Sequence, residues 1–202
     1  MIPIYNPRTH KPAEAMDWEE AMKLINRLAK DKKYKDSMLI ASGCFLGLRI
    51  SDILKLKWKD ILYNENLVIV EKKTKKMRSL RINTVYQSHA KECYKAMKSP
   101  DPDNYIFGNP FNENRSPMTR QRAATILKGI KEKYNIKSAK VFSSHSLRKT
   151  FGRRVWHNEC QNNRGEMALM LLCEVFNHSN INITKRYLGI RQEEILSVYD
   201  SL

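Results

Sequence analysis

The sequence predicts an α+β fold that is mainly α-helical, with one small antiparallel sheet inserted early in the chain. Three observations carry that reading. Apolar residues recur at helical spacing over most of the chain. Between residues 61 and 83 the period shortens to that of strands. Helical patterns then return, with no internal repeat and no low-complexity tract. A chain of 202 residues, 42% hydrophobic and 29% charged, can bury one substantial core and is not disordered as a whole.

The elements follow in order. Residues 1–16 are aperiodic and contain Pro3, Pro7 and Pro12, so they read as a linker or N-terminal arm; residues 17–202 read as one domain. Asp17 with Glu20 makes a capping signal for a first helix over 17–31, whose apolar face is Trp18, Ala21, Leu24, Ile25 and Leu28. A second helix over 36–47 is apolar enough to be central. Gly47 breaks the pattern, and a short third helix runs over 50–56. Ile61–Leu62, LVIVEKK (67–73) and RSLRIN (78–83) read as a three-stranded antiparallel meander, with a basic turn near Thr74–Met77. Further helices are predicted over 84–98, 119–134, 144–157 and 165–176. DPDNYIFGNPFNENRSPM (101–118) is loop with an extended YIF, and HNECQNNRGE (157–166) is a polar loop between two helices. RQEEILSVYDSL (191–202) patterns as an amphipathic helix, with Ile195, Val198 and Tyr199 on its apolar side.

Composition narrows the function. The 37 Lys+Arg against 21 Asp+Glu give a net charge of +16, which points to a polyanionic partner, because each neutralised phosphate releases condensed counterions. The charge is clustered: six basic residues and no acid lie between Lys72 and Arg81, and seven against one acid between Thr119 and Lys140. The run MLIASGCFLGL (38–48) is too short to span a bilayer, and the N-terminus lacks the pattern of a secretion signal, so a cytoplasmic protein with no membrane partner is expected. Cys44, Cys93, Cys160 and Cys173 are far apart, with no CxxC pair, and read as reduced thiols. His157 with Cys160, or Cys173 with His178, has the spacing of half a zinc site, but no second pair accompanies either, so no metal is expected.

Along SSHSLRKTFGRRV (143–155), Leu147, Phe151 and Val155 form one helical stripe. His145 and Arg148 fall beside it, at the margin of core and surface; Lys149 and Arg153 fall beyond it, toward solvent. Taken alone, the pair is better explained by a capping histidine and a salt-bridged arginine. Three other stretches change that balance. FLGLRISDILKLKWKDI (45–61) delivers Arg49 just after the Gly47 break, EKKTKKMRSLRI (71–82) supplies lysines on a turn, and FNHSNINITKRYLGI (176–190) sets His178 nine residues before Tyr187.

The chain resembles the catalytic domain of the tyrosine recombinases, the phage-integrase family. The resemblance lies in G-L-R-x-S-[DE]-x-L-x-L-x-W at Gly47–Trp58, the K-T turn between strands, H-x-L-R at His145–Arg148, and N-H-S followed by R-Y at Asn177–Tyr187. It covers nearly all the chain from Asp17 onward and is strongest toward integrases of phages and bacterial mobile elements, so a bacterial or phage-encoded protein is expected. It implies the DNA breaking-rejoining enzyme catalytic-domain fold and no cofactor. Arg49 and Arg148 are then the clamp on a phosphate's non-bridging oxygens, where a planar fork does what lysine cannot. Tyr187 is the nucleophile that leaves a 3′-phosphotyrosyl link, which conserves the bond energy for rejoining. A lysine of the turn protonates the leaving 5′-oxygen; Lys73 aligns best, and Lys75 and Lys76 are close enough to be confused with it. His145 assists proton transfer at the tyrosine, His178 hydrogen-bonds the phosphate, and Asp52 is a supporting residue. Lys75, Lys76, Arg120, Arg122, Lys149 and Arg153 are DNA-binding candidates.

The chain departs from the family pattern in three places. The stretch between Arg148 and His178 is longer than usual, and His178 stays in register only if the extra residues lie at the surface. Asn177 stands where most members have glycine, which a tight bend tolerates. Only about sixteen residues precede the first helix, so the N-terminal core-binding domain of most members is expected to be absent from this chain. The partners implied are double-stranded DNA attachment sites, a homotetramer on DNA from a protein that is monomeric when free, and accessory DNA-bending or excision proteins. The activity implied is site-specific recombination, the integration and excision of a mobile element. Two alternatives stay open: a non-catalytic helix-turn-helix-like DNA binder built on residues 38–57, and a type IB topoisomerase-like activity. Tyr199 is a rival nucleophile outside the motif.

Overall fold

A computed structural model describes residues 12–70 and 77–190. The readings made for residues 1–11 of the arm, for Lys73, Lys75 and Lys76, and for the 191–202 tail, Tyr199 included, lie outside the described residues. The helices begin where capping chemistry says they should. α1 (Trp18–Lys30) is capped by Asp17, whose carboxylate accepts from Glu20 N at 3.0 Å, and it buries Ala21, Leu24, Ile25 and Leu28. α2 (Tyr34–Leu46) is buried nearly all round, including Ser37 and Ser42. Their hydroxyls are satisfied: Ser37 Oγ donates to Ile25 O at 2.8 Å, and Ser42 Oγ pairs with Tyr86 Oη at 2.7 Å. α3 (Ile50–Ile53) is a single turn, shorter than the helix predicted over 50–56.

The sheet has two strands among the described residues, not three. β1 (Asn66–Val70) pairs antiparallel with β2 (Met77–Arg81), from Asn66 opposite Arg81 to Val70 opposite Met77. Ile61 and Leu62, predicted as the first strand, lie instead in α4 (Trp58–Leu62). Helical spacing puts Trp58, Ile61 and Leu62 on one buried face, the Asp60 carboxylate accepts from Lys57 N at 2.8 Å, and Gln87 Nε2 donates to Ile61 O at 2.9 Å. Two apolar residues are too few to separate the strand period from the helix period, and the tryptophan three residues earlier settles it.

α5 (Thr84–Ala96), capped by Asn83, and α6 (Arg120–Tyr134), capped by Thr119, complete the main core around α2. Between them, the extended YIF is realised as an isolated bridge of Tyr105 to Lys57, with Ile106 and Phe107 fully buried, followed by a 3-10 turn at Pro110–Asn112. α7 (Ser144–Gln161) runs on through residues expected to be loop; only the exposed residues 162–164 form the turn into α8 (Gly165–Phe176). His157 and Asn158 are the solvent face of a helix that nothing breaks before Asn163, whose φ is +57°. α9 (Ile181–Leu188), capped by Asn180 and not predicted as a helix, follows.

α7 straddles two cores. Leu147 belongs to the main one; Phe151 and Val155 pack on a second, smaller core of Leu169, Leu172, Phe176, Leu188 and Ile190. Close approach depends on glycines. A Cβ at Gly43 would lie 2.5 Å from Leu147 Cβ, and one at Gly152 would lie 2.7 Å from Leu188 Cδ2 and 2.8 Å from Phe176 Cζ. Gly47, at φ +60° and ψ +19°, ends α2 in the left-handed region, and a Cβ there would meet Phe151 Cδ1 at 2.3 Å.

Two substitutions test this arrangement. Gly47→Ala combines left-handed strain with overpacking, so it should cost about 2–4 kcal/mol and lower the melting midpoint by roughly 5–15 °C. Gly129→Ala, in the exposed interior of α6 with nothing within 4 Å of the new methyl, should instead stabilise by about 0.5–1 kcal/mol. Calorimetry on both checks the signs.

Candidate active site

Where α2 and α8 end, their last carbonyls have no helical partner and carry the negative end of the helix dipole. Arg148, on α7 and only 6% exposed, uses both: Nη1 donates to Gly47 O at 2.6 Å and Nη2 to Phe176 O at 3.0 Å. Arg49, half-buried at the start of α3, donates from Nη2 to the same Phe176 O at 3.3 Å. Both helices turn out of the way in left-handed caps, Gly47 and Asn177, the latter at φ +50° and ψ +52°. The bend expected of Asn177 is therefore present, and its neighbour His178 is brought to the arginines despite the longer chain before it.

The remaining groups close around a pocket of about 220 Å³ lined by Arg49, Ser51, Arg120, Ser144, His145, Arg148, His178 and Tyr187, among others. His178 Nδ1 lies 3.0 Å from the Oγ1 of fully buried Thr184, which fixes the ring. Tyr187 Oη lies 3.5 Å from His145 Nδ1, and its ring stands edge-on to His178 at 5.3 Å and to Phe176 at 5.5 Å. Phe176 is also the plate under Arg148, whose Cζ sits 4.3 Å from the ring centroid.

Electrostatically the pocket holds an excess of positive charge. Burial, then the charges of Arg148, Lys149 and Arg49, pushes the His145 pKa below its ordinary value; burial, then Arg148 and Arg49, does the same to His178. Burial raises the Tyr187 pKa, and Arg148 and Arg49 pull against it. At neutral pH the site thus presents a protonated phenol beside a neutral imidazole. That imidazole accepts the phenol proton if its own proton is on Nε2.

The other predicted residues are distributed around this centre. Asp52 accepts from Ser51 Oγ at 3.3 Å and lines an adjoining hollow of about 530 Å³ with Arg49, Lys55 and Arg120. Arg120 is exposed at the rim of both hollows; Arg122 opens instead onto a separate groove with Lys32, Lys33 and Lys35. The solvent-facing placement of Lys149 is corrected: it is 9% exposed, with Nζ 5.0 Å from the centroid of the Tyr187 ring. A helical wheel gives its angle correctly but cannot show that α9 crosses there. Arg153 is half-buried, with Nη1 donating to Leu188 O at 3.2 Å. Of the zinc-like pairs, Cys173 Sγ donates to the His178 carbonyl at 3.3 Å; among the described residues no three His, Cys, Asp or Glu side chains converge on one point. Sequence reasoning missed Phe176 and Thr184; their only signal is proximity to His178 in FNHSNINITKRY.

Two arginines, two histidines and a tyrosine around one small pocket, on this helical frame with its two-stranded sheet, define the catalytic-domain class of the tyrosine recombinases. The chain belongs to the phage integrase family, whose model matches residues 14–194. It is 29% identical over 180 residues to the probable integrase/recombinase YoeC of Bacillus subtilis, covering 89% of this chain and 91% of that protein. It is 24% identical over 194 residues to the tyrosine recombinase XerA of Pyrococcus furiosus, covering 95% of this chain but 63% of that one. Among solved structures, it resembles a XerA recombinase with a TM-score of 0.68 at 19% identity, over 93% of this chain and 64% of that chain. It also resembles the Tn1549 transposon integrase in complex with transposon right end DNA, with a TM-score of 0.60 at 19% identity, over 95% and 68% of the two chains.

The depressed histidines fix a pH dependence. The native pKa of each lies below the unfolded value near 6.5, so the unfolded state takes up protons first as pH falls. The stability due to neutral imidazoles is complete above the unfolded value and is lost as pH falls from there toward the native one. The melting midpoint of the wild type should therefore decline from pH 7 toward pH 5. His145→Gln and His178→Gln should each show a shallower decline in the same buffers.

Proposed function

We propose that this chain carries out site-specific DNA recombination, the integration and excision of a mobile element, by cleaving and rejoining strands through a 3′-phosphotyrosyl intermediate. The observation that carries the reading is the Tyr187 hydroxyl at the mouth of a pocket already holding both arginines and both histidines. A phosphodiester phosphorus is shielded by negative charge, so attack on it needs cations that match the pentavalent transition state better than the ground state. Arg49 and Arg148 have that role. Tyr187 attacks, its proton passing to His145, while His178 hydrogen-bonds a non-bridging oxygen. The P–O5′ bond breaks as the P–O(Tyr) bond forms, and the 5′-oxygen takes a proton from Lys73, on the segment joining β1 to β2. Rejoining reverses these steps with a different 5′-hydroxyl. Asp52 supports Arg49 from the adjoining hollow.

Double-stranded DNA is the partner that the +16 charge and the rim residue Arg120 favour, with a homotetramer spanning two duplexes. Of the neighbours of similar fold, the Tn1549 integrase is described in complex with transposon DNA. The helix-turn-helix alternative is weakened because α3, its recognition helix, spans only Ile50–Ile53.

Covalent capture tests the reading. Incubation with supercoiled DNA carrying the sequence that flanks the coding region should give a detergent-resistant adduct, mapped to Tyr187 by mass spectrometry and absent in Tyr187→Phe. Arg49→Lys should slow adduct formation by roughly 10²–10³-fold while changing DNA affinity little. An adduct that persists in Tyr187→Phe, or DNA binding without any adduct, would exclude the mechanism.

A further inference from the structure

Lys149 and Arg153 lie one turn apart on α7, and both face α9 rather than open solvent. A phosphate contact needs an ammonium that DNA can reach, whereas Lys149 is 9% exposed and its Nζ lies over the Tyr187 ring at 5.0 Å. Burying that charge is unfavourable, and the charge of Arg153 adds to the cost; Glu14, on the segment leading into α1, offsets part of it. A lysine kept there against such opposition has a use for its charge, and the face of an aromatic ring is what the charge meets.

Arg153 acts at the other end of the same turn. Its Nη1 donates to Leu188 O, the last carbonyl of α9, at 3.2 Å, and it lies 3.7 Å from where a Cβ of Gly189 would stand. Gly189, at φ +80°, turns the chain away and leaves that carbonyl open to it. α9 needs such help. It has eight residues, of which only Thr184 and Leu188 are buried, and a helix that short does not persist in water by itself.

We propose that Lys149 and Arg153 are a cationic latch: positioning residues that hold α9 on α7 and so set the pose of Tyr187 against Arg49 and Arg148. The inference rests on the proposed role of Tyr187 for its consequence in catalysis, but not for the latch itself. Lys149 steadies the ring from its face, Arg153 anchors the helix end one residue further on, and neither touches the phosphate.

Hydrogen exchange of the whole chain decides the matter without DNA. Lys149→Met keeps the stem and removes the charge; Arg153→Gln keeps a donor and removes the fork. Each should raise amide exchange across residues 181–190 by roughly three- to tenfold, with α2 and α6 unchanged, and Lys149→Arg should restore protection. On supercoiled DNA carrying the flanking sequence, Lys149→Met and Arg153→Gln should slow adduct formation by a similar factor at saturating DNA, with affinity for a random-sequence duplex within about twofold of wild type. Unchanged exchange, with weaker duplex binding and a salt slope shallower by about one, would make them phosphate contacts and overturn the latch. Exchange in Lys149→Arg as fast as in Lys149→Met would also overturn it, since shape rather than charge would then hold the ring. If the wild type forms no adduct while exchange responds as stated, the recombinase reading fails and the latch stands.

Discussion

A buried guanidinium that must be satisfied organises this molecule. Arg148 is nearly out of solvent, and a charge in that position is tolerated only when its donors are met. They are met by the open ends of two helices, at Gly47 and Phe176. Because α2 and α8 must each bring a terminal carbonyl to one side chain of α7, the three helices have little freedom to slide past one another. Arg49, His145 and His178 sit beside those ends, so their relative positions follow from the same requirement. A guanidinium has five N–H donors. Two serve the carbonyls, and one contact reaches the Tyr187 hydroxyl.

The same design makes the site electrostatically incomplete. Among the described residues that line it there is no carboxylate, and cations press on both histidines. An anion in the pocket would relieve all of these at once, and by linkage it would draw the histidine pKa values back up. The free protein therefore stores unfavourable interaction in a form that the right ligand removes.

Much of this was legible in the sequence, for identifiable reasons. Long helices carry their boundaries in their periodicity, α1, α5 and α6 with side-chain N-caps and α8 without one, and the bend at Asn177 follows from asparagine's tolerance of positive φ. The failures are local. Ile61–Leu62 was too short to show a period, and α7 outlasted its apolar stripe because polar residues on a solvent face do not end a helix. α9 is short and buries only Thr184 and Leu188, so its helical nature lies in the Asn180 cap and in what it packs against. Lys149 shows the deepest limit. Its direction on α7 was readable, but what it points at is set by a segment about forty residues later in the chain.

Gly152 has no side chain and takes part in no chemistry, yet Leu188 and Phe176 rest where its Cβ would be. One of these neighbours follows the tyrosine; the other owns the carbonyl shared by the two arginines. The missing methyl is thus a spacer of zero thickness, and it sets the distance between the Tyr187 helix and the two arginines. Any side chain there would widen the pocket as a whole instead of deleting one of its groups. In a mutational survey scored by activity, this silent position would look like a member of the active site. A survey scored by folding alone would call it ordinary packing.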